Sequence, residues 1–209
     1  MQSCLRFSAF LLAALVFFGG PARAATLPAP ADSYAADVAL DVGSTHLPGT
    51  VRHDRGRELR TIDTNYGRQT FLVRPDRGRA WLLQAGFGVA LEVELNAPEL
   101  GVDLNRLYRI EATPRGRETI AGLPVTRYRL AGEVVKNSRF EGDVWATDSG
   151  ILVKIDGTAT DAGRAQPVRM LLANIKRGPQ DPNLFEVPAN MNVMKVDGAM
   201  REMLRGLGR

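Results

Sequence analysis

Gln69-Thr70-Phe71-Leu72-Val73-Arg74, then Pro75-Asp76-Arg77-Gly78, then Arg79-Ala80-Trp81-Leu82-Leu83-Gln84: this stretch decides the fold class. Two short runs rich in β-branched and aromatic residues flank a turn signal, and neither run is long enough for a helix. Aspartate favours the start of a tight turn, and glycine takes the positive φ that closes it. The reading is strand, turn, strand. Next, Val89, Leu91, Val93 and Leu95 alternate with Ala90, Glu92 and Glu94, a period of two that marks a strand with one face buried.

The same grammar extends in both directions. Val38, Leu40 and Val42 alternate with Asp37, Ala39 and Asp41, and Ile151, Val153 and Ile155 alternate with Leu152, Lys154 and Asp156. Asp54-Arg55-Gly56, Asp148-Ser149-Gly150 and Asp161-Ala162-Gly163 repeat the Asp-x-Gly turn, and Asn65-Tyr66-Gly67 and Pro114-Arg115-Gly116 read as further turns. Thr126–Leu130, Phe140–Thr147 and Val168–Ile175 are further strand-like runs. The spacing predicts a mainly β chain, an antiparallel meander of about ten strands that must curl or close to protect its edges. Two segments break the pattern. Residues 96–107 carry Leu100, Leu104 and Leu107, and residues 197–207 carry Met200, Met203, Leu204 and Leu207 behind a capping Asp197; both spacings are helical.

The N-terminus reads as an export signal. Arg6 precedes an apolar run from Phe7 to Phe18, and Gly19-Gly20-Pro21 ends any helix before a small-x-small site at Ala22-Arg23-Ala24. Cleavage is expected after Ala24, with the protein in the periplasm. The run is too short to span a bilayer, which takes roughly 20 residues. The expected organisation is a signal peptide (1–24), a flexible Pro/Ala-rich lead-in (25–33), one β domain (34–196) and a C-terminal amphipathic helix or tail (197–209).

The single cysteine, Cys4, precedes the apolar run, so the exported chain has no disulfide and no thiol chemistry. A domain of about 150 residues buries roughly 70% of its unfolded surface and can do without such staples. The formal charge of +4 becomes +2 once Arg6 and Arg23 leave with an acid-free leader. Acids and arginines interleave, so no basic block is set up to track phosphates, and nucleic acid is not an expected partner. Arg52, Arg55, Arg57 and Arg60 come nearest to a patch and read as a solvated hairpin face.

A search for reaction chemistry returns little. The two histidines, His46 and His53, lack metal-ligand spacing and a third nitrogen or sulfur donor. They read as surface histidines, and neither a metal nor a cofactor is expected. Glu92 and Glu94 share a strand face, as acids on wet strand faces commonly do. There is no Gly-x-Ser-x-Gly elbow and no phosphate loop. The chain does not read as an enzyme. What remains is the apolar face, which either fills a small barrel or lines a cavity for an apolar ligand. The candidate liners are Leu40, Phe71, Val73, Trp81, Leu83, Phe87, Leu91, Val93, Phe140 and Met170. Trp145 falls out of phase with Phe140, Val144 and Ala146. It is placed to pair with Leu152 across the Asp148 turn or to meet a helix or partner.

The run from Leu72 to Leu83, the segments Gly122-Leu123-Pro124-Val125-Thr126-Arg127-Tyr128 and Gly142-Asp143-Val144-Trp145-Ala146-Thr147-Asp148-Ser149-Gly150-Ile151, and the ending Asp181-Pro182-Asn183-Leu184-Phe185-Glu186-Val187-Pro188 together resemble the outer-membrane lipoprotein-sorting (LolA/LolB-like) superfamily. The resemblance covers residues 34–196 and rests on the order and spacing of these runs. It implies an unclosed β-barrel with helices in its mouth and an apolar cavity that shelters acyl chains. The chain departs from the family in three ways. It has no cysteine to acylate, its lead-in is proline-rich where the soluble carrier has a long helix, and no functional arginine of the carriers maps onto it.

Two functions follow as expectations. One is a monomeric periplasmic carrier for a lipid, a lipidated protein or another apolar ligand. The other is an envelope interaction or sensor module with a filled core and a protein partner.

Overall fold

The computed structural model describes residues 26–65, 67–95, 110–135, 138–161 and 163–196. The leader and both helical stripes lie outside these residues. Twelve strands form one sheet in the order β12-β6-β5-β4-β3-β2-β1-β11-β10-β9-β8-β7. They are β1 (Tyr34–Val42), β2 (Thr45–Asp54), β3 (Arg57–Thr64), β4 (Gly67–Arg74), β5 (Arg79–Gln84), β6 (Val89–Glu94), β7 (Ala112–Ile120), β8 (Leu123–Val135), β9 (Ser138–Ala146), β10 (Leu152–Asp161), β11 (Arg164–Arg177) and β12 (Asn192–Lys195).

The architecture is an unclosed β-barrel built from two meanders. β1–β6 run outward in one direction, and β7–β11 run back from the opposite edge to seat β11 antiparallel against β1. β12 then returns to pair in parallel with β6. Among the described residues the helical elements are short 3-10 turns at Pro75–Arg77, Ala85–Phe87 and Pro182–Phe185.

Among the described residues two strands remain as edges. β7 is blunted by Pro114, a bulge between Pro114 and Gly116, and exposed Arg115, Arg117 and Glu118. The expected turn at Pro114-Arg115-Gly116 is that bulge, because the strand continues through it. β12 has neither proline nor bulge, and its Val193 and Met194 are 50% and 42% exposed.

Register shows which face is buried. Leu40 lies opposite Met170, Met170 opposite Ile155, Ile155 opposite Val144, and Val144 opposite Tyr128. On this face, called here the Val38 face, the core of β1, β2 and β11 contains Val38, Val51, Met170 and Leu172. It continues through Ile155 to Leu130, Phe140 and Val144. Phe140 lies over a facing glycine pair, since a Cβ at Gly142 or Gly157 would come within 2.7 Å or 2.6 Å of the Phe140 ring. The aromatic ring fills the space that the glycines leave, and the missing side chains let the sheet bend there.

β4–β6 behave differently. Their best-buried residues, Leu72, Trp81, Leu83 and Ala90, are on the opposite face, under Phe185, Leu184, Val187 and Met191 of the returning segment. Arg74 pins that segment. Its guanidinium, only 5% exposed, donates Nε and Nη2 to Asp76 at 2.9 and 2.7 Å. Nη1 donates to the Phe185 carbonyl and to Glu186, both at 2.7 Å. Arg77 adds two bonds to Glu186 at 2.9 Å, and Arg57 stacks over the Phe185 ring at 4.9 Å.

The lead-in is also tied down, from Leu27 onward. Leu27 is buried in the core, Ala31 N–H donates to the Ser149 carbonyl at 2.9 Å, and Ser149 donates to Asp32 at 2.6 Å. His53 Nδ1 donates to the Asp32 carbonyl at 2.7 Å, and Ser33 donates to Asp54. At Gly150 an added Cβ would stand 2.3 Å from the Ala29 carbonyl oxygen, so only glycine lets the strap pass.

Candidate ligand-binding face

Because β4–β6 cover one face with the 182–191 segment, their Val38-side residues are left over, and these are apolar too. One cross-strand row runs Phe71, Leu82, Leu91, Met194 through β4, β5, β6 and β12. The next row is Val73, Ala80, Val93. Phe71 and Met194 are 40% and 42% exposed, and the residues between them are half-buried. The plate has polar borders. On one side the β3 residues Glu58 and Arg60, opposite Val73 and Phe71, form an ion pair at 3.0 Å. At one end Gln84 donates to Gln69 at 2.9 Å. The surface is an apolar strip with polar margins.

The candidate liners separate into four groups. Phe71, Val73, Leu91 and Val93 meet on this plate. Leu40, Phe140 and Met170 share the same sheet face but are packed in the core of the other strands. Trp81 and Leu83 are on the opposite face, with Trp81 Nε1 donating to Glu92 at 3.1 Å. Phe87 is at the tip of the β5–β6 connection, 82% exposed. Sequence reasoning missed Leu82, Ala80 and Met194. Leu82 and Ala80 are out of phase with Trp81 and Leu83, and Met194 joins through a parallel pairing that no local pattern signals.

A cavity of about 840 Å³ opens elsewhere, lined by Ala35, Asp37, Thr50, Arg52, Ala121 and Asn174 among others, and it contains none of the candidate liners. Two of its polar side chains are engaged, Asn174 with Asp37 at 2.7 Å and Arg52 with Gln180 at 3.3 Å.

The remaining polar candidates have structural partners. His46 is exposed and 2.6 Å from Asp41, but His53 is 2% exposed and stacked on Tyr34, so it is not a surface histidine. Among the described residues no three His, Cys, Asp or Glu side chains gather as a metal site. Arg57 and Arg60 are half-buried and pair with Asp54 and Glu58, whereas Arg52 and Arg55 are exposed, so only half of the expected solvated patch is tied into the fold. Trp145 faces Lys154 rather than Leu152 and is buried between Lys154 at 4.3 Å and Arg127 at 5.3 Å. The hydrogen bond from Ser33, with help from Arg57, holds the Asp54 carboxyl below its usual range. Arg74 does the same to Asp76 and Glu186, while its own pKa is raised.

Comparison with solved structures supports the fold. An uncharacterised conserved protein from Thermus thermophilus superposes with a TM-score of 0.52 at 9% identity, over 79% of this chain and 91% of its own. The MucA/MucB complex of Pseudomonas aeruginosa gives 0.48 at 14% identity, over 78% of this chain and 58% of that one. An outer membrane lipoprotein-sorting protein domain from Vibrio parahaemolyticus, of the LolA/LolB-like fold class, gives 0.39 at 8% identity, over 74% and 89%. The first of these carries the fold, and the other two are likenesses only. No family model and no curated protein matches the chain.

Proposed function

We propose that this protein is a periplasmic binding or carrier protein that holds a lipid, or the acyl chain of a lipidated protein, against the plate formed by Phe71, Leu82, Leu91 and Met194. One observation carries the reading. These strands bury one apolar face in their own fold and keep a second apolar face half open. Solvent-facing strand positions are ordinarily polar, and a continuous apolar row is a mark of something that binds there. An acyl chain gains about 0.8 kcal/mol for each methylene it buries. Such a site needs apolar area and length rather than reactive groups, in keeping with a sequence that offers no nucleophile motif or metal set. The resemblance to lipoprotein-sorting proteins points the same way.

Native mass spectrometry and lipid extraction on protein purified gently from periplasm test it. The expected result is a co-purifying lipid or acylated species that is lost in Leu91→Asp. A clean apo mass, with no uptake of added fatty acid, would remove the reading.

One feature favours a protein partner as the second reading. The β12 edge has exposed Val193 and Met194 and neither proline nor bulge, so an extended segment of another protein could add to it as a strand. Val193→Pro would then abolish partner binding and leave lipid uptake intact.

A further inference from the structure

The two ends of the sheet are finished differently. β7 is closed to pairing by Pro114 and its bulge, whereas all four residues of β12, Asn192-Val193-Met194-Lys195, are exposed. The hydrogen-bond phase of β12 shows what its free edge offers. Asn192 N–H donates to the Gly88 carbonyl at 2.8 Å, and Val196 N–H donates to the Glu92 carbonyl at 2.9 Å. In a parallel pair alternate residues of a strand make its bonds to one neighbour, so Asn192, Met194 and Val196 bond to β6. The N–H and C=O groups of Val193 and Lys195 are directed away from β6, and they form the edge.

That edge is complementary to itself. With two copies of β12 antiparallel about a two-fold axis at Met194, Val193 lies opposite Lys195 of the second copy, and Lys195 opposite its Val193. Each pair exchanges two N–H···O bonds, and Met194 meets Met194 as a non-hydrogen-bonded pair with Cα atoms about 4.5 Å apart. Other centres do less well. An axis at Lys195 sets like charges opposite each other. An axis at Val193 sets Lys195 against Met191, whose N–H already donates to the Pro188 carbonyl at 3.0 Å. A shift by one residue turns one sheet over, so that its plate falls on the other face.

We propose that β12 pairs with β12 of a second copy of this chain, giving a two-fold dimer with one continuous sheet. The inference rests on the open edge used in the second reading above and commits that edge to one occupant; it departs from the monomer expected from sequence. Closure favours a second copy over a foreign strand. The two-fold pairing uses both open edges and leaves, among the described residues, only the blunted β7 edges at the ends, so assembly stops at two. The apolar rows also meet. An axis perpendicular to the sheet keeps both plates on one face, so Phe71, Leu82, Leu91 and Met194 continue into the same row of the second copy through a contact of adaptable thioether side chains. With four residues from each copy and about 4.8 Å between strands, the joined row spans roughly 34 Å. On the other face Lys195 lies beside Glu92 of its own chain, and its aliphatic stem covers Val193 of the second copy. A four-residue edge is small beside the roughly 800 Å² that each partner gives to a stable complex, so the dimer belongs to the weak, concentration-dependent class.

The residues after Ala24 contain no cysteine, so single cysteines placed in the exported chain report the register. Met194→Cys should oxidise to a covalent dimer, because Cα atoms about 4.5 Å apart suit a disulfide. The rate should exceed roughly tenfold that of Phe87→Cys, an exposed collision control, and that of Val193→Cys, which the two-fold holds apart from its copy. Sedimentation velocity of the native protein between about 1 μM and about 1 mM should show a reversible monomer–dimer equilibrium. Val193→Pro removes an edge N–H and no bond to β6; it should weaken the dimer roughly tenfold and leave fatty-acid uptake unchanged. A native protein that stays monomeric throughout would overturn the inference, passing the edge to residues 197–209 or to another protein, whose capture is tested by its own binding assay. A dimer that Val193→Pro does not weaken would also overturn it, as would Met194→Cys cross-linking no faster than either control.

Discussion

β8–β11 and β4–β6 are built from similar residues and end differently. In β9 and β10 the buried residues Phe140 and Val144 and the half-buried Ile155 alternate with Glu141, Asp143 and Asp156, and, apart from Trp145 buried on the other phase at the end of β9, these strands commit one face to the core. In β4–β6 apolar residues occupy both phases. Leu72, Trp81 and Ala90 go under the 182–191 segment, while Phe71, Leu82 and Leu91 remain half open. The difference teaches that burial in this fold is set by what covers a face, and the cover on β4–β6 is a segment returning from far along the chain. Arg74 bonds that cover to β4, and Phe185, Leu184, Val187 and Met191 pack against the face it covers.

The comparison can be broken at several strengths. In the committed half, Leu130→Ala or Leu172→Ala should cost about 2–5 kcal/mol in denaturant melts, with fatty-acid affinity of the folded protein unchanged. An equal loss of affinity at fixed folding would mean that the two halves are one site. In the covered half, Arg74→Ala removes charge-assisted bonds to the Phe185 carbonyl and to two carboxylates, about 2–3 kcal/mol in all. It should also red-shift Trp81 emission as Phe185 lifts. A stability loss with unchanged emission would show that the segment stays down without the pin.

Acid should weaken the same clasp more gently. The carboxyls of Asp76 and Glu186 are held low by Arg74, so their contribution is fully present above the ordinary carboxylate pKa values of about 4. It is lost as pH falls through their lowered values. Stability of the native protein should therefore fall more steeply below pH ~4 than that of Glu186→Gln, and parallel curves would remove the clasp from the account. The smallest stability effect belongs to the open plate. Phe71→Ser should change stability by about 1 kcal/mol or less, yet weaken fatty-acid binding roughly tenfold.

Much of the fold was legible in local pattern. The Asp-x-Gly turns at Asp54, Asp76 and Asp148 fall between strands, and the run from Arg79 to Gln84 is β5 as read. The unclosed β-barrel also matches expectation. The candidate site was legible only in part, because alternation tells that a strand has two faces but not which one gains a cover. Trp81 and Leu83 are as apolar as Phe71 and Val73, and only the distant Phe185 separates them. Met194 reaches the plate through parallel pairing to β6, a contact without local spacing. Pro114-Arg115-Gly116 carries turn residues because an edge bulge needs the same backbone freedom as a turn. Composition gave residues 25–33 only as a flexible lead-in, whereas the hold of Asp32 and Ser33 on the fold comes from Ser149, His53 and Asp54, residues far along the chain.

The most direct test of the central claim is a titration of a fluorescent fatty acid into the purified protein, into Phe71→Asp on the plate, and into Leu171→Asp. Leu171 is equally exposed, at 43%, but faces away from the plate. The account predicts saturable binding by the native protein and by Leu171→Asp, with binding lost in Phe71→Asp at unchanged folding. Binding that survives in Phe71→Asp, or that falls equally in both variants, would contradict it.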